Sequence, residues 1–288
     1  MKKKNKAIYL LFLMPFVYFA TACFVVWLVK TSGIYPSGSD TMYHVYRGDY
    51  VYNAIKSGNW YPLYDPAWYN GVEILRYWSP FPAYVMAFCQ YLAGGSQFGA
   101  YLFYIGGVCF LGACVWPFIG RGFNRPYLGA FIGLLWFFMP NNLCAIFIEG
   151  NLARSLSMIF LPVFIYSVYK YLYNHKLRYI PLMVFTFLLM ELCHLGYAGM
   201  VAIAVIIYGI VYMIQKGRKK AVLDVVISMI FGFMLLGIWL VASLRGGITS
   251  LDNSENMANF FQNLWITINP FERLTRGFEY FYFGFAAL

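Results

Sequence analysis

Charge is what this chain has least of. Only 11% of its 288 residues are Asp, Glu, Lys or Arg, against roughly 25% in a soluble globular domain. So few charges cannot clothe a water-facing surface, which excludes an ordinary soluble enzyme and leaves lipid as the main solvent. Acids are scarcer than bases: 11 Asp and Glu stand against 21 Lys and Arg, a formal net charge of +10. In a soluble protein that excess would raise nucleic acid as a partner. In a lipid-embedded chain it holds loops at the cytoplasmic face instead, and no nucleic acid is expected. Cysteine is sparse as well. The six thiols form no CxxC pair, which removes the common zinc and redox motifs, and they read as small buried hydrophobes. Internal repeats, low-complexity tracts and lipidation signals are lacking too.

What the chain has is apolar length. Of its residues 61% are apolar and 22% aromatic. A span needs about 20 apolar residues to cross roughly 30 Å of hydrocarbon. The sequence predicts about seven, at 7–29, 99–119, 126–143, 156–174, 179–195, 197–215 and 222–243. The first follows a lysine-rich start, Met1 to Lys6. It is longer than the apolar core of a signal peptide, and no small-residue cleavage site follows, so it reads as a retained span. The segment 80–93 is shorter. Ser79 is placed to cap it, Pro80 suits its first helical position and Gly94-Gly95 ends it. It is expected to lie along the membrane as a juxtamembrane helix.

Charge tests that choice. With seven spans and 80–93 not crossing, Lys2 to Lys6, Arg121, Arg125, Lys170 to Arg178 and Lys216 to Lys220 all fall inside. That places 13 of the 21 basic residues on short inner segments. Nearly all acids fall on outer segments, and the N-terminus is cytoplasmic. If 80–93 crossed, the later basic clusters would turn outward. The expected fold class is therefore an all-α polytopic transmembrane bundle, one integral membrane domain over 1–288. It has a long first outer loop at about 30–98 and an outer C-terminal segment at about 244–288. The apolar tail Tyr280 to Leu288 reads as the start of another helix, as though the chain were the N-terminal part of a longer architecture.

The first outer loop carries most of the chemistry. Ser39 is a suitable N-cap for a helix from Asp40 to about Ser57. At 100° per residue Asp40, His44 and Arg47 share one face, beside a stripe of Tyr43, Tyr46 and Tyr50. A carboxylate can take a proton or hold a divalent metal, and a guanidinium can pair with phosphate oxygens. The plain alternative is an amphipathic helix with an acid at its N-terminus. Thirteen aromatics between Tyr43 and Tyr84 read mostly as an interfacial belt. Further along, Glu149, Asn151 and Arg154 lie between two apolar runs, and Glu191 and His194 lie at the outer end of the fifth span. Polar groups there are expensive unless they face water, a partner or a site.

Gly38-Ser-Asp40-Thr-Met-Tyr-His44-Val-Tyr-Arg47, Asn59-Trp-Tyr-Pro62, Trp68-Tyr-Asn-Gly71 and Tyr77-Trp-Ser-Pro80 together resemble a bacterial polytopic family called 6-pyruvoyl-tetrahydropterin synthase-related. That family is similar to C-type (GT-C) glycosyltransferases. The resemblance covers roughly residues 34–200. It implies a bacterial plasma-membrane enzyme that takes a sugar from a polyprenyl-phosphate donor on the outer face. Asp40 matches the acid that follows the first span and is the implied catalytic residue. Glu149 and His194 match the acid before the fourth span and the histidine at a later outer helix end. His44, Arg47, Glu149, Arg154 and His194 are then the implied substrate-binding set. A divalent cation such as Mg or Mn is compatible with the class, with its ligands left open. The chain departs from the pattern in its length and in the order Glu149-Gly150. A non-catalytic lipid-carrier binder, a transport component or an inactive relative is the alternative.

Overall fold

The computed structural model describes residues 2–245 except Ser37, Tyr69, Asn70 and Tyr77, with side chains described from 12 to 243. The outer C-terminal segment expected at about 244–288, with its apolar tail, lies outside the described residues. The elements are α1 (Lys2–Ser32), α2 (Thr41–Lys56), α3 (Phe81–Leu92), α4 (Gln97–Gly122), α5 (Pro126–Leu135), α6 (Pro140–Leu143), α7 (Leu152–Asn174), α8 (Tyr179–Cys193), α9 (Leu195–Lys216), α10 (Lys219–Leu235) and α11 (Gly237–Arg245). Among the described residues there is no strand, only one isolated bridge between Asp65 and Val72. The all-helical membrane architecture expected from composition is the one observed.

Among the described residues five helices are long and apolar enough to cross a membrane: Phe12–Ser32, Gln97–Gly122, Pro126–Ile148, Leu152–Asn174 and Leu195–Lys216. The pair α10 and α11, bent by 63°, makes a sixth if counted as one. The remaining expected span is α8. At 15 residues it reaches roughly 22 Å, short of the hydrocarbon thickness.

Contacts between helices define two ends. At one, Lys170 Nζ donates to Gly122 O at 2.6 Å, Tyr171 Oη to Asp224 at 2.5 Å and Tyr212 Oη to Leu172 O at 2.5 Å. This basic end gathers the α4–α5, α7–α8 and α9–α10 turns. At the other, the loop end, Ser79 Oγ donates to Glu191 O at 2.9 Å and Trp239 Nε1 to Leu75 O at 2.8 Å. There α11 docks under the first long loop, where Arg76 Nε also donates to Ala242 O at 2.8 Å.

Close helix approach relies on small residues. Gly120 of α4 and Gly129 of α5 meet backbone to backbone, and a Cβ at Gly120 would sit 2.6 Å from Gly129 Cα. Tyr18 of α1 is fully buried, and its hydroxyl donates to Ala130 O at 2.8 Å. Helix α7 is central: 67% of its apolar window is buried, against 17% for α1. The third span is irregular. After α5 a 3₁₀ turn (Trp136–Phe138), the short α6 and a π turn (Cys144–Ile148) follow. Pro140 cannot donate to the ladder, and Asn142 Nδ2 closes the break by donating to Trp136 O at 2.8 Å. Such backbone is tolerated at membrane depth when protein groups satisfy it.

Helix α3 is too short for a comfortable span. It has 12 residues, begins beside Glu191 of α8 and ends before α4 at the loop end. Its Ala83 and Ala87 pack with Val51 of α2 and with Ile74 and Leu75 of the preceding loop. Gln90 Nε2 fastens its end to Asp49 Oδ1 at 2.6 Å. Two capping expectations need correction. Ser79 does not cap α3, because its hydroxyl is spent on Glu191 O. Ser39 does not cap α2 either: the cap position is Asp40, and Ser39 Oγ donates instead to Glu149 O and Asp40 Oδ1, both at 3.1 Å. In each case a distant carbonyl outcompetes the local turn.

Candidate functional site

The loop end brings together residues from three distant stretches. The first is the start of α2. Asp40 N donates to Glu149 O at 3.0 Å, tying the first loop to the stretch before α7. This approach needs glycine twice. Gly150 has φ +68°, and a Cβ there would lie 2.2 Å from Thr41 Oγ1; a Cβ at Gly38 would lie 2.5 Å from Gly150 N. Only a residue without a side chain allows the two backbones to come so close. The Asp40 carboxylate itself stays exposed, with Ser39 Oγ beside it.

The second stretch is 149–154. Asn151 caps α7 by accepting from Arg154 N at 3.0 Å, which aims the first turn of α7 at Glu149. Arg154 Nη2 then pairs with Glu149 Oε2 at 2.7 Å, the arginine nearly buried and the acid partly open. Cys144 Sγ approaches Glu149 Oε1 at 3.4 Å.

The third stretch is His194, at the junction between α8 and α9 and outside both. It caps α9: Nδ1 accepts from Tyr197 N at 3.0 Å. The neutral ring therefore carries its proton on Nε2, the nitrogen that faces Asn151 Nδ2 at 3.4 Å. Burial lowers the His194 pKa and Arg154 lowers it further, while the carboxylates of Asp40 and Glu149 act against them.

His44 and Arg47 lie deeper. His44 is buried, and its pKa is lowered to about 3 by burial first, then by Arg47 and His194. Arg47 is 1% exposed. Its Nη2 donates to Trp78 O at 3.2 Å and Ser79 O at 3.4 Å, and its guanidinium lies 5.4 Å from the Tyr43 ring centre and 5.9 Å from that of Trp78. Burial lowers its pKa. Among the described residues it has no carboxylate partner; ion pairs occur only at Arg76–Glu73 and Arg154–Glu149. Asp40, Glu149, Arg154 and His194 therefore form the rim, with His44 and Arg47 beneath it.

The tyrosine stripe of α2 proves to be fastening. Tyr46 Oη donates to Asp65 at 2.5 Å and Tyr50 Oη to Tyr64 O at 2.7 Å, while Tyr84 of α3 donates to Trp60 O at 2.6 Å. These bonds hold down a loop whose Trp60, Tyr61, Leu63 and Tyr64 remain exposed, consistent with an interfacial belt.

A family model described as the 6-pyruvoyl-tetrahydropterin synthase related domain, a membrane protein, matches residues 75–288. The chain belongs to this family. No curated protein and no solved structure matches it. Within this 6-pyruvoyl-tetrahydropterin synthase related chain, the Glu149, Arg154 and His194 parts of the site fall inside the matched region; Asp40, His44 and Arg47 precede it. Among the described residues, no group of three or more His, Cys, Asp or Glu is gathered as a metal site. A cation held here would need further ligands, such as phosphate oxygens.

Sequence reading did not anticipate Trp78 as the lid on Arg47, nor the Gly38–Gly150 contact. Two glycines flanking polar stretches are a visible signal of close backbone approach, but not of what approaches. Glu191 is 1% exposed and its Oε2 has no hydrogen-bond partner among the described residues. It faces Gly232 of α10 rather than the rim.

Proposed function

We propose that this membrane protein transfers a sugar from a polyprenyl-phosphate donor to an envelope acceptor at the outer face of a bacterial plasma membrane, as C-type (GT-C) glycosyltransferases do. The observation that carries this reading is the convergence of Asp40, Glu149, Arg154 and His194, from three distant stretches, on one rim at the loop end. The basic end then faces the cytoplasm together with the N-terminus, in line with the positive-inside rule.

In this reading the donor's lipid tail lies between helices and its head meets the rim. Asp40, the exposed carboxylate, accepts the proton of the acceptor hydroxyl as it attacks the anomeric carbon. The bond from that carbon to the phosphate oxygen breaks, and the carrier phosphate leaves as an anion. Arg154 lies at the rim to meet that charge, with Glu149 orienting it. His194 offers its Nε2–H to an oxygen of donor or acceptor. Arg47, under Trp78, adds positive potential from below and holds the loop in place, and neutral His44 fills the space between.

The test is Asp40→Asn. The side chain is exposed and lightly bonded, so the variant folds and inserts like the parent. It is expected to lose at least 100-fold in transfer and to fail to restore surface glycan in a deletion strain. Full activity of Asp40→Asn defeats the assignment. An unchanged glycan profile in the deletion strain favours a non-catalytic carrier-binding or transport-associated role.

A further inference from the structure

The opposite end of the bundle holds a second concentration of charge that the proposed chemistry does not use. A cleft of about 520 Å³ opens there between the end of α7 and the start of α10, lined by Tyr171, His175, Arg218, Lys219, Lys220 and Asp224 among others. Three of these side chains are cations, and none forms an ion pair among the described residues. The single acid, Asp224, is already engaged: it accepts from Tyr171 Oη at 2.5 Å. Arg218 Nη1 contacts His175 Nε2, which holds the guanidinium across the cleft. His175 reaches this position because the chain turns left-handed there, at φ +51°.

The backbone adds to the charge. Helix α10 starts at Lys219 with no side-chain cap and no acid in its first turn. Lys219 N donates to Gly217 O at 3.2 Å, and the positive end of the helix dipole lies at the same cleft, which Lys219, Lys220 and Ala221 line. Three cations against one acid leave the cleft net positive, around an opening large enough for a phosphate group. An anion offsets that charge and gains charge-assisted hydrogen bonds.

We propose that this cleft binds a phosphate-bearing anion, supplied by the headgroup of an anionic phospholipid. The position supports a lipid source. The cleft lies at the end of the apolar helix α9 and the start of α10, and exposed Ile214 and Leu223 flank the cations along these helices, where acyl chains would run. Basic pockets between helix ends are a known kind of lipid-headgroup site. Free phosphate shares the chemistry and is the other source to be distinguished. The proposal stands apart from the transferase reading and holds or fails without it.

The experiment uses the full chain purified in detergent. Phosphatidylglycerol, phosphatidylcholine and inorganic phosphate are titrated separately, with retained lipid counted by native mass spectrometry and thermal stability followed in parallel. The expected result is saturable retention of one phosphatidylglycerol, at least tenfold weaker in the Arg218→Gln/Lys219→Gln/Lys220→Gln chain. Phosphatidylcholine is not retained. Asp224→Asn removes the one opposing charge, leaves an acceptor for Tyr171 and binds at least twofold tighter; it keeps the test decisive if the triple variant does not fold. Saturable binding of inorganic phosphate without phosphatidylglycerol overturns the lipid source. Equal phosphatidylglycerol retention by parent and triple variant, or no tightening in Asp224→Asn, overturns the site.

Discussion

At the scale of single residues, the buried titratable groups set the testable behaviour. His44 has a folded pKa of about 3 against an ordinary 6.5. Above 6.5 both folded and unfolded chains hold it neutral, and its burial costs nothing in protonation. As the pH falls from 6.5 toward 3, the unfolded chain takes up a proton that the folded chain refuses, so stability falls, by up to about 1.4 kcal/mol per pH unit. The melting temperature is expected to drop between pH 7.5 and pH 5, and His44→Gln is expected to flatten part of that drop. Identical pH profiles for parent and variant would show that His44 is protonated in the folded chain. Glu191 makes the opposite point. It is buried, its Oε2 has no hydrogen-bond partner among the described residues, and an unpaired carboxylate at such depth costs several kcal/mol. Glu191→Gln is therefore expected to match or exceed the parent in thermal stability. A clear loss of stability would mean that a cation from outside the described residues pairs with it.

At the scale of elements, the site depends on how helix starts are tied to distant loops. Gly38 and Gly150 allow the start of α2 to sit on the stretch before α7. Gly150→Ala meets both a left-handed φ of +68° and the Thr41 contact. Gly58 provides the control: its φ is +88° but nothing lies within 4 Å of its absent Cβ. Both substitutions pay backbone strain, on the order of 1 kcal/mol. Only Gly150→Ala also pays for the clash, so it is expected to melt lower than Gly58→Ala, and equal melting would show that the loops can part freely. Helix α2 itself was legible in the sequence, and so was the face carrying Asp40, His44 and Arg47. What the pattern could not reveal is that the face is split by depth, with Asp40 exposed and Arg47 buried. Helical periodicity reports direction around an axis and says nothing about how far a neighbouring loop covers it. The caps show the same limit: Ser39 and Ser79 have the right residue type in the right place, yet both serve carbonyls more than 100 positions away.

At the scale of the whole molecule, topology is the main consequence. Helix α3 begins and ends at the loop end, so Ser57 before it and Gln97 after it are on the same side, opposite Lys176. All three are exposed. In a chain with its six cysteines replaced, single cysteines at 57 and 97 are expected to react together with an impermeant maleimide on intact cells. A cysteine at 176 should react only after permeabilisation. Labelling of 57 and 97 from opposite sides would mean that α3 crosses the membrane.

Composition by itself determined that this is a helical membrane protein, because 11% charge cannot hydrate a surface and lipid demands internally satisfied backbone. Charge asymmetry along the chain predicts that 80–93 lies at one end of the bundle. Only the tertiary structure decided which polar stretches meet. The Asp40–Glu149 backbone bond, the Asn151 cap and the His194 junction join segments with no periodic relation to each other. Their meeting depends on close helix packing through glycines and on carbonyls left free by the broken third span, neither of which a linear pattern encodes.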